Sequence, residues 1–340
     1  PAHVVQVVIA QNALDVVYSD GTVLAIGDQS ALGLGTLSSF AKLEGLANVA
    51  FVTLGRNFGC AILESGNVTC WGDNSYGQLG RGGTPNSSTA PLTVGTLTNV
   101  VQLASSGFHV CALKSDGTVW CWGRNDSGQV GNGTTTNVTS PVQVLSGATF
   151  VSAGSEGSTC AVVGGTVYCW GNNSAGELGT GDIANRTSPN AISIHGIVQL
   201  AMGDVHTCAL RADGAAFCWG NGQSGQLGYG DYTSISAPSS TPAMTGVQQL
   251  STTWYGTCAL LEGNGPTVWC WGEDTFGEAG DGTGSGAILS PSPVAKLGSC
   301  SSIFGGWLLN CATAADSSIW CWGLSPTSIN RAFVPSPLGI

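Results

Sequence analysis

The sequence predicts an all-β fold built from seven repeated blades of four short antiparallel strands, and three observations lead there. Cysteines recur in pairs about ten residues apart on either side of a turn signal. The first cysteines of successive pairs follow one another at 51, 49, 48, 50 and 53 residues. Within each interval the apolar residues fall in short β-prone runs with no helical periodicity, the pattern of a propeller blade.

The hairpin comes first. In the stretch from Cys111 to Cys121, Cys-Ala-Leu-Lys and Thr-Val-Trp-Cys flank Ser115-Asp116-Gly117. A three-residue loop with Gly117 in the left-handed position pairs Lys114 with Thr118, and counting outward sets Cys111 opposite Cys121. A two-residue loop would set Cys111 against Trp122, so the thiols choose the register. The other copies vary the loop and keep the opposition. Cys60 and Cys70 flank Glu64-Ser65-Gly66, and Cys208 and Cys218 flank Ala212-Asp213-Gly214. Cys160 and Cys169 lie nine apart around Gly164-Gly165, while Cys258 and Cys270 lie twelve apart around a loop over 262–266. Cys311 and Cys321 return to ten, with Ser317 where a glycine is expected. Opposed residues of a non-hydrogen-bonded antiparallel pair are about 4.5 Å apart at Cα, within disulfide reach. Zinc would need clustered ligands, and the four histidines are scattered. Six hairpin disulfides imply an oxidising compartment, extracellular or at the cell surface.

A seventh copy, residues 13–27, precedes these, with Asp15 and Ala25 in place of the cysteines and Ile26 in place of tryptophan. The repeats run roughly 1–45, 46–96, 97–146, 147–194, 195–244, 245–297 and 298–340. Each has an apolar run such as 100–104, the Cys-Ala-Leu strand, a return ending in Cys-Trp-Gly, a glycine-rich segment such as 72–82, and a proline-marked extended piece such as 139–144. The tryptophan after each second cysteine (Trp71, Trp122, Trp170, Trp219, Trp271 and Trp322) faces away from the disulfide and reads as packing between blades. Gly220 to Gly225 matches G-x-G-x-x-G, but no helix follows, so it reads as turn chemistry and not a dinucleotide site. The end segments 3–9 and 333–340 are candidates for one shared closing blade, or for pairing with another molecule.

The series Cys-Ala-Leu, Asp-Gly-x-Val and Trp-Gly-x-Asn-x-x-Gly-Gln-Leu-Gly resembles the regulator of chromosome condensation repeats, which also occur in β-lactamase-inhibiting propellers. The resemblance covers nearly the whole chain. It implies a seven-bladed β-propeller over 1–340 as a single domain, the cysteine pair being an elaboration similar to that of secreted proteins.

The formal charge is −11, from 20 acidic and 9 basic residues. Backbone binding to DNA needs a basic stripe, and the sequence has none, so nucleic acid is not an expected partner. No stretch is long and apolar enough for a membrane-spanning helix. Seven N-glycosylation acceptor sequences occur. Asn86, Asn132, Asn137 and Asn185 fall in inter-strand loops and are the glycan candidates, whereas Asn125 and Asn172 lie in glycine segments as turn formers and Asn67 begins a strand. Cys300 is the thirteenth cysteine, either bonded to another molecule or a buried free thiol.

Nothing in the sequence assembles a catalytic constellation, cofactor site or metal site. His109 and His206 hold equivalent repeat positions, and Asp274 with Asp281 is weak evidence for calcium. Two non-enzymatic readings follow. The first is an extracellular structural or adhesive module, glycosylated and packed with copies of itself into a filament or surface layer. The alternative is a secreted propeller that grips or inhibits another protein with one face, whose signal would be clustered aromatic anchors. Tyr76, Tyr229, Trp254, Tyr255 and Phe276 are the candidate anchors.

Overall fold

The computed structural model describes residues 2–83, 86–95, 97–263, 267–284, 286–325 and 331–338. Part of the 262–266 loop, the stretch 326–330 of the last repeat and residues 339–340 lie outside them. Seven sheets span 4–42, 49–93, 100–145, 148–191, 197–220, 247–293 and 300–337, giving a seven-bladed all-β propeller. The third blade shows the plan: Val100–Ser106, His109–Lys114, Val119–Gly123 and Val138–Leu145 pair antiparallel in chain order. Among the described residues the one helical turn is Ser30–Leu32, and no helix is long and apolar enough to cross a membrane.

The cysteines sit in the register the loops dictate. Cys111 opposes Cys121, and the equivalent pairing holds in the second, fourth, fifth, sixth and seventh blades. All six pairs are disulfides with Cα atoms 4.1 Å apart. Ser317 takes the left-handed conformation of its glycine counterparts, at φ 70° against 80° for Gly117. In the first blade Asp15 opposes Ala25. Asp15 is fully buried, accepts a bond from Gln29 Nε2 at 3.0 Å, and burial pushes its pKa up to about 7.

Two features depart from a uniform repeat. The end segments do not share a blade: Val4–Ile9 pairs with Ala13–Tyr18, and Arg331–Pro337 pairs with Ile319–Leu324. The first and last repeats each supply four strands of their own, so neither end has a strand to lend. In the fifth blade the fourth strand shrinks to two isolated bridges, Gly220 to Ile235 and Ala216 to Met244. Pro238 and Pro242 lie between them and lack the N–H that pairing needs. The Tyr229 hydroxyl fills the gap, accepting the Cys218 N–H at 3.1 Å and donating to its carbonyl at 3.2 Å.

The chain divides into two compact units, residues 1–173 with 185–191, and 174–184 with 192–340. The first holds four blades and the second three. Within each unit the core lies between consecutive blades. Phe58, Leu79, Leu103 and Trp122 form one such cluster in the first unit; Leu227, Leu250, Ala259 and Trp271 form one in the second. The six tryptophans after the second cysteines are at most 1% exposed. Burying a ring of that size contributes about 4–6 kcal/mol gross. Five of them also donate an indole N–H to a carbonyl in the preceding repeat's glycine segment. Trp122 bonds to Gln78 and Trp170 to Gln129 in the first unit, at 2.8 and 2.9 Å. Trp219, Trp271 and Trp322 bond to Glu177, Gln226 and Glu278 in the second, at 2.9, 2.9 and 3.0 Å. A Cβ on Gly80 would lie 2.8 Å from the Trp122 nitrogen, so the segment must be glycine where the ring crosses it.

A second stitch uses glutamine. Gln6 brackets the Val52 backbone, its Nε2 donating to the carbonyl and its Oε1 accepting the N–H, both at 2.9 Å. Gln102 does the same to Val151, Gln199 to Leu250 and Gln249 to Ile303. Each side chain adds a two-bond ladder rung between neighbouring blades.

Candidate binding site

In such a sheet the turn joining the first two strands and the glycine segment after the third leave at one end, and the cysteine hairpin turns at the other. In the first unit the first-to-second turns stand side by side, the Arg56 N–H donating to the Gly107 carbonyl at 2.8 Å. Phe108, in the next turn, meets Tyr76 from the preceding glycine segment with ring centroids 5.1 Å apart. Arg124 lies over both rings, at 5.5 and 5.8 Å, and Arg56 lies 6.0 Å from Phe108. Two guanidinium groups and two aromatic rings are thus interleaved at the loop end.

The two arginines differ in charge balance. Arg124 pairs with Asp126, as Lys114 pairs with Asp116, each with the acid two residues on. Burial would lift the Asp126 carboxyl, but hydrogen bonds from Arg124 and Gln129 outweigh it and hold it below the usual range. Arg56 is exposed and is followed two residues on by Phe58, and no carboxylate among the described residues pairs with it.

Arg56 also lines a cleft of about 310 Å³ between the first and second blades, together with Asn12, Asp28, Gln29, Asn57, Phe58, Trp71, Asp73 and Ser87. The cleft has a sequence origin. From Gly72 to Gly80 the second repeat has nine residues, whereas Gly27 to Gly33 in the first has seven. The missing pair corresponds to Gly77-Gln78, whose backbone fills this space one blade further on and accepts the Trp122 N–H. The first repeat instead closes with the turn Ser30–Leu32, and no acceptor among the described residues reaches the Trp71 indole N–H.

In the second unit the corresponding turns carry a different group. Trp254 crosses Trp307 edge-on at 5.6 Å and Tyr255 at 6.2 Å. The backbone ties the turns together, Asp204 N–H donating to Trp254 and Trp254 N–H to Trp307, at 3.1 and 2.8 Å. All three rings are half-buried, and Trp307 sits at φ 39°.

Of the anchors read from sequence, Tyr76 joins the first group, and Trp254 and Tyr255 the second. Phe276 is half-buried in its glycine segment, its N–H donating to Glu278. Tyr229 is spent on the Cys218 backbone. Sequence reasoning missed Arg56, Phe108 and the cleft; the two-residue shortening ahead of Trp71 was the signal that marks it. His109 and His206 are buried, their Nε2 atoms meeting Thr159 and Thr257 at 2.8 and 3.0 Å. Asp274 Oδ1 accepts the Ala279 N–H and Asp281 Oδ1 the Thr283 N–H, and no three metal-type ligands gather among the described residues. Asn86, Asn132, Asn137 and Asn185 are exposed; the last two also accept the backbone N–H of Asn125 and Asn173. Asn125 is fully buried. Cys300 is a half-buried free thiol whose Sγ lies 3.5 Å from the Gly298 carbonyl, and burial pushes its pKa up.

Sequence profiles of the regulator of chromosome condensation (RCC1) repeat match residues 65–113, 116–161, 164–210 and 213–260, and a second profile matches 49–78, 100–129 and 197–226. Together they cover more than half the chain. It belongs to the RCC1-repeat family. Human E3 ubiquitin-protein ligase HERC2 is 33% identical over 146 residues, 42% of this RCC1-repeat chain and 3% of that protein. The chain spans between 3% and 21% of the length of such curated relatives. Human WBSCR16 superposes with a TM-score of 0.79 at 21% identity, covering 90% of this chain and 86% of its own. Prp20p of Saccharomyces cerevisiae, studied for its binding to Gsp1p and histones, gives 0.80 at 19%, covering 93% and 85%. These likenesses establish the fold.

Proposed function

We propose that this RCC1-repeat chain is a non-enzymatic extracellular module that holds a protein partner with the loop-end face of its blades, the two units acting as one seven-bladed domain. The carrying observation is the interleaved group Arg56, Tyr76, Phe108 and Arg124 beside the cleft. Aromatic and arginine side chains clustered at a concave site are the usual anchors of protein interfaces. The disulfides support the compartment: rings of this size contribute about 2–3 kcal/mol each, which a reducing cytosol would remove. Of the two readings drawn from the sequence, the structural or adhesive one rested on low charge, Ser/Thr/Asn richness and stapled blades together with an odd cysteine and a possible free terminal strand. The Cys300 thiol has a raised pKa and a carbonyl neighbour, and both terminal strands are paired within their own sheets. Glycans on Asn86 and Asn132 suit the binding reading equally.

The test is capture of a surface or secreted partner by the intact, oxidised protein. Tyr76→Ala with Phe108→Ala should weaken capture at least tenfold, whereas Asp116→Ala, at the opposite strand end, should leave it unchanged. Equal capture by all three, or ordered arrays in electron micrographs of native material, would overturn the proposal.

A further inference from the structure

We infer that the cleft between the first two blades is a subsite for one carboxylate on an extended peptide of the partner, held by Arg56 and the Trp71 indole N–H; this rests on the binding reading above. Two donors without acceptors line the same cavity. Trp71 is 1% exposed, and its five counterparts all donate to a backbone carbonyl that the shortened first repeat does not supply. With no protein acceptor, that N–H is left to solvent or to a ligand in the cleft that Trp71 lines. Arg56 is the second, its guanidinium 6.0 Å from the Phe108 ring centroid, and a guanidinium binds carboxylates through two parallel bonds.

The cleft's own acids leave those donors free. Asp73 Oδ1 accepts the N–H and hydroxyl of Ser75, and its Oδ2 accepts Gln78 Nε2. Asp28 Oδ1 accepts the Ser30 N–H. With these two acids already lining the cleft, a single carboxylate suits the site and a polysulfated sugar does not. At about 310 Å³ the cavity is at the small end of ligand pockets, room for a side chain or chain end against the Phe58 and Trp71 rings.

The test follows the Trp71 indole N–H resonance of the intact protein, assigned by Trp71→Phe. Acetylated tetrapeptides ending in a free carboxylate, their C-terminal amides, amides with one internal glutamate, and a sulfated disaccharide are titrated separately. Carboxylate peptides should move that resonance, with uncharged amides at least tenfold weaker, and Arg56→Ala should lower affinity at least tenfold. The internal-glutamate peptides tell whether a chain end or a side chain is preferred, either of which fits. Equal binding of amides and acids, no effect of Arg56→Ala, or tighter binding of the sulfated disaccharide would overturn the inference. Partner capture that needs Tyr76 and Phe108 but survives Arg56→Ala would remove the subsite and leave the binding reading standing.

Discussion

Replacing Glu278 by glutamine should stabilise the protein at neutral and alkaline pH and leave it unchanged in acid. At the equivalent positions Gln78, Gln129 and Gln226 accept the N–H of the residue two before, at 2.9, 2.9 and 2.8 Å. Their Nε2 atoms donate to Asp73, Asp126 and Asn221, at 2.9, 3.1 and 3.4 Å. Glu278 keeps the first bond, from Phe276 at 2.8 Å, but brings a carboxylate where the neighbours, Glu273 and Asp274, are also acidic. Its Oε1 is buried without a partner. Burial, reinforced by those two acids, raises its pKa from 4.5 to about 7.

The sign follows from proton counting. Between pH 4.5 and 7 the folded chain holds a proton that the unfolded chain has released, so stability falls as pH rises through this window and levels off above it. The span from 4.5 to about 7 corresponds to about 3 kcal/mol, using about 1.4 kcal/mol per pH unit. Glu278→Gln removes this dependence and supplies the missing donor toward Glu273. Urea unfolding with disulfides intact, at pH 4, 6 and 8, should give a difference from the parent near zero at pH 4 that grows to about 3 kcal/mol at pH 8. Asp15 titrates in the same direction in both proteins, so the difference isolates Glu278. A difference that is flat with pH, or a variant less stable at pH 8, would refute the argument.

Tyr229→Phe leaves the Cys218 N–H and carbonyl without their bonds and should cost about 1–3 kcal/mol in urea unfolding, with faster hydrogen exchange at the Cys218 amide. Ser317→Gly should stabilise by about 1 kcal/mol, because serine pays a steric penalty at φ 70° that glycine does not; a thermal melt reads it. Asp15→Cys with Ala25→Cys should close a seventh hairpin disulfide, seen as a loss of two mass units on oxidation, and remove the pH dependence that Asp15 contributes. His206 is buried with its pKa lowered to about 3, so stability should fall as pH drops below about 6.5; His206→Gln should flatten that acid limb.

The repeating part of the molecule was legible because one observable, thiol opposition across loops of different length, fixed the strand register, and the register fixed which face each tryptophan occupies. The glutamine brackets were not legible. Gln6, Gln102, Gln199 and Gln249 lie in runs that read only as apolar, and their targets are residues 46 to 54 positions away. Tyr229 illustrates a different limit: an aromatic in a glycine-rich loop looks like a surface anchor until the weak fourth strand shows which backbone atoms need its hydroxyl. The candidate site fell between the two. Tyr76, Trp254 and Tyr255 were visible as candidate aromatic anchors, but Arg56 had no motif around it.

That the cleft lies beside the first blade follows from the same bookkeeping of donors and acceptors. At a junction such as that of the second and third blades, the glycine segment gives a carbonyl to the next indole, and its glutamine closes its own turn. Such a junction is rigid and has nothing left to offer a ligand. The first repeat gives up a glycine, a glutamine and a disulfide together, and the second blade's indole N–H and an unneutralised arginine are left facing the resulting space. A site of this kind can arise without loosening the rest, because each remaining disulfide closes within its own blade and the stitches between later blades do not pass through the first. Restoring Gly-Gln between Ala31 and Leu32 should therefore fill the cleft, give the Trp71 N–H its carbonyl and stabilise the junction while abolishing carboxylate binding; a protein that gains stability yet still binds would separate the cleft from the function assigned to it.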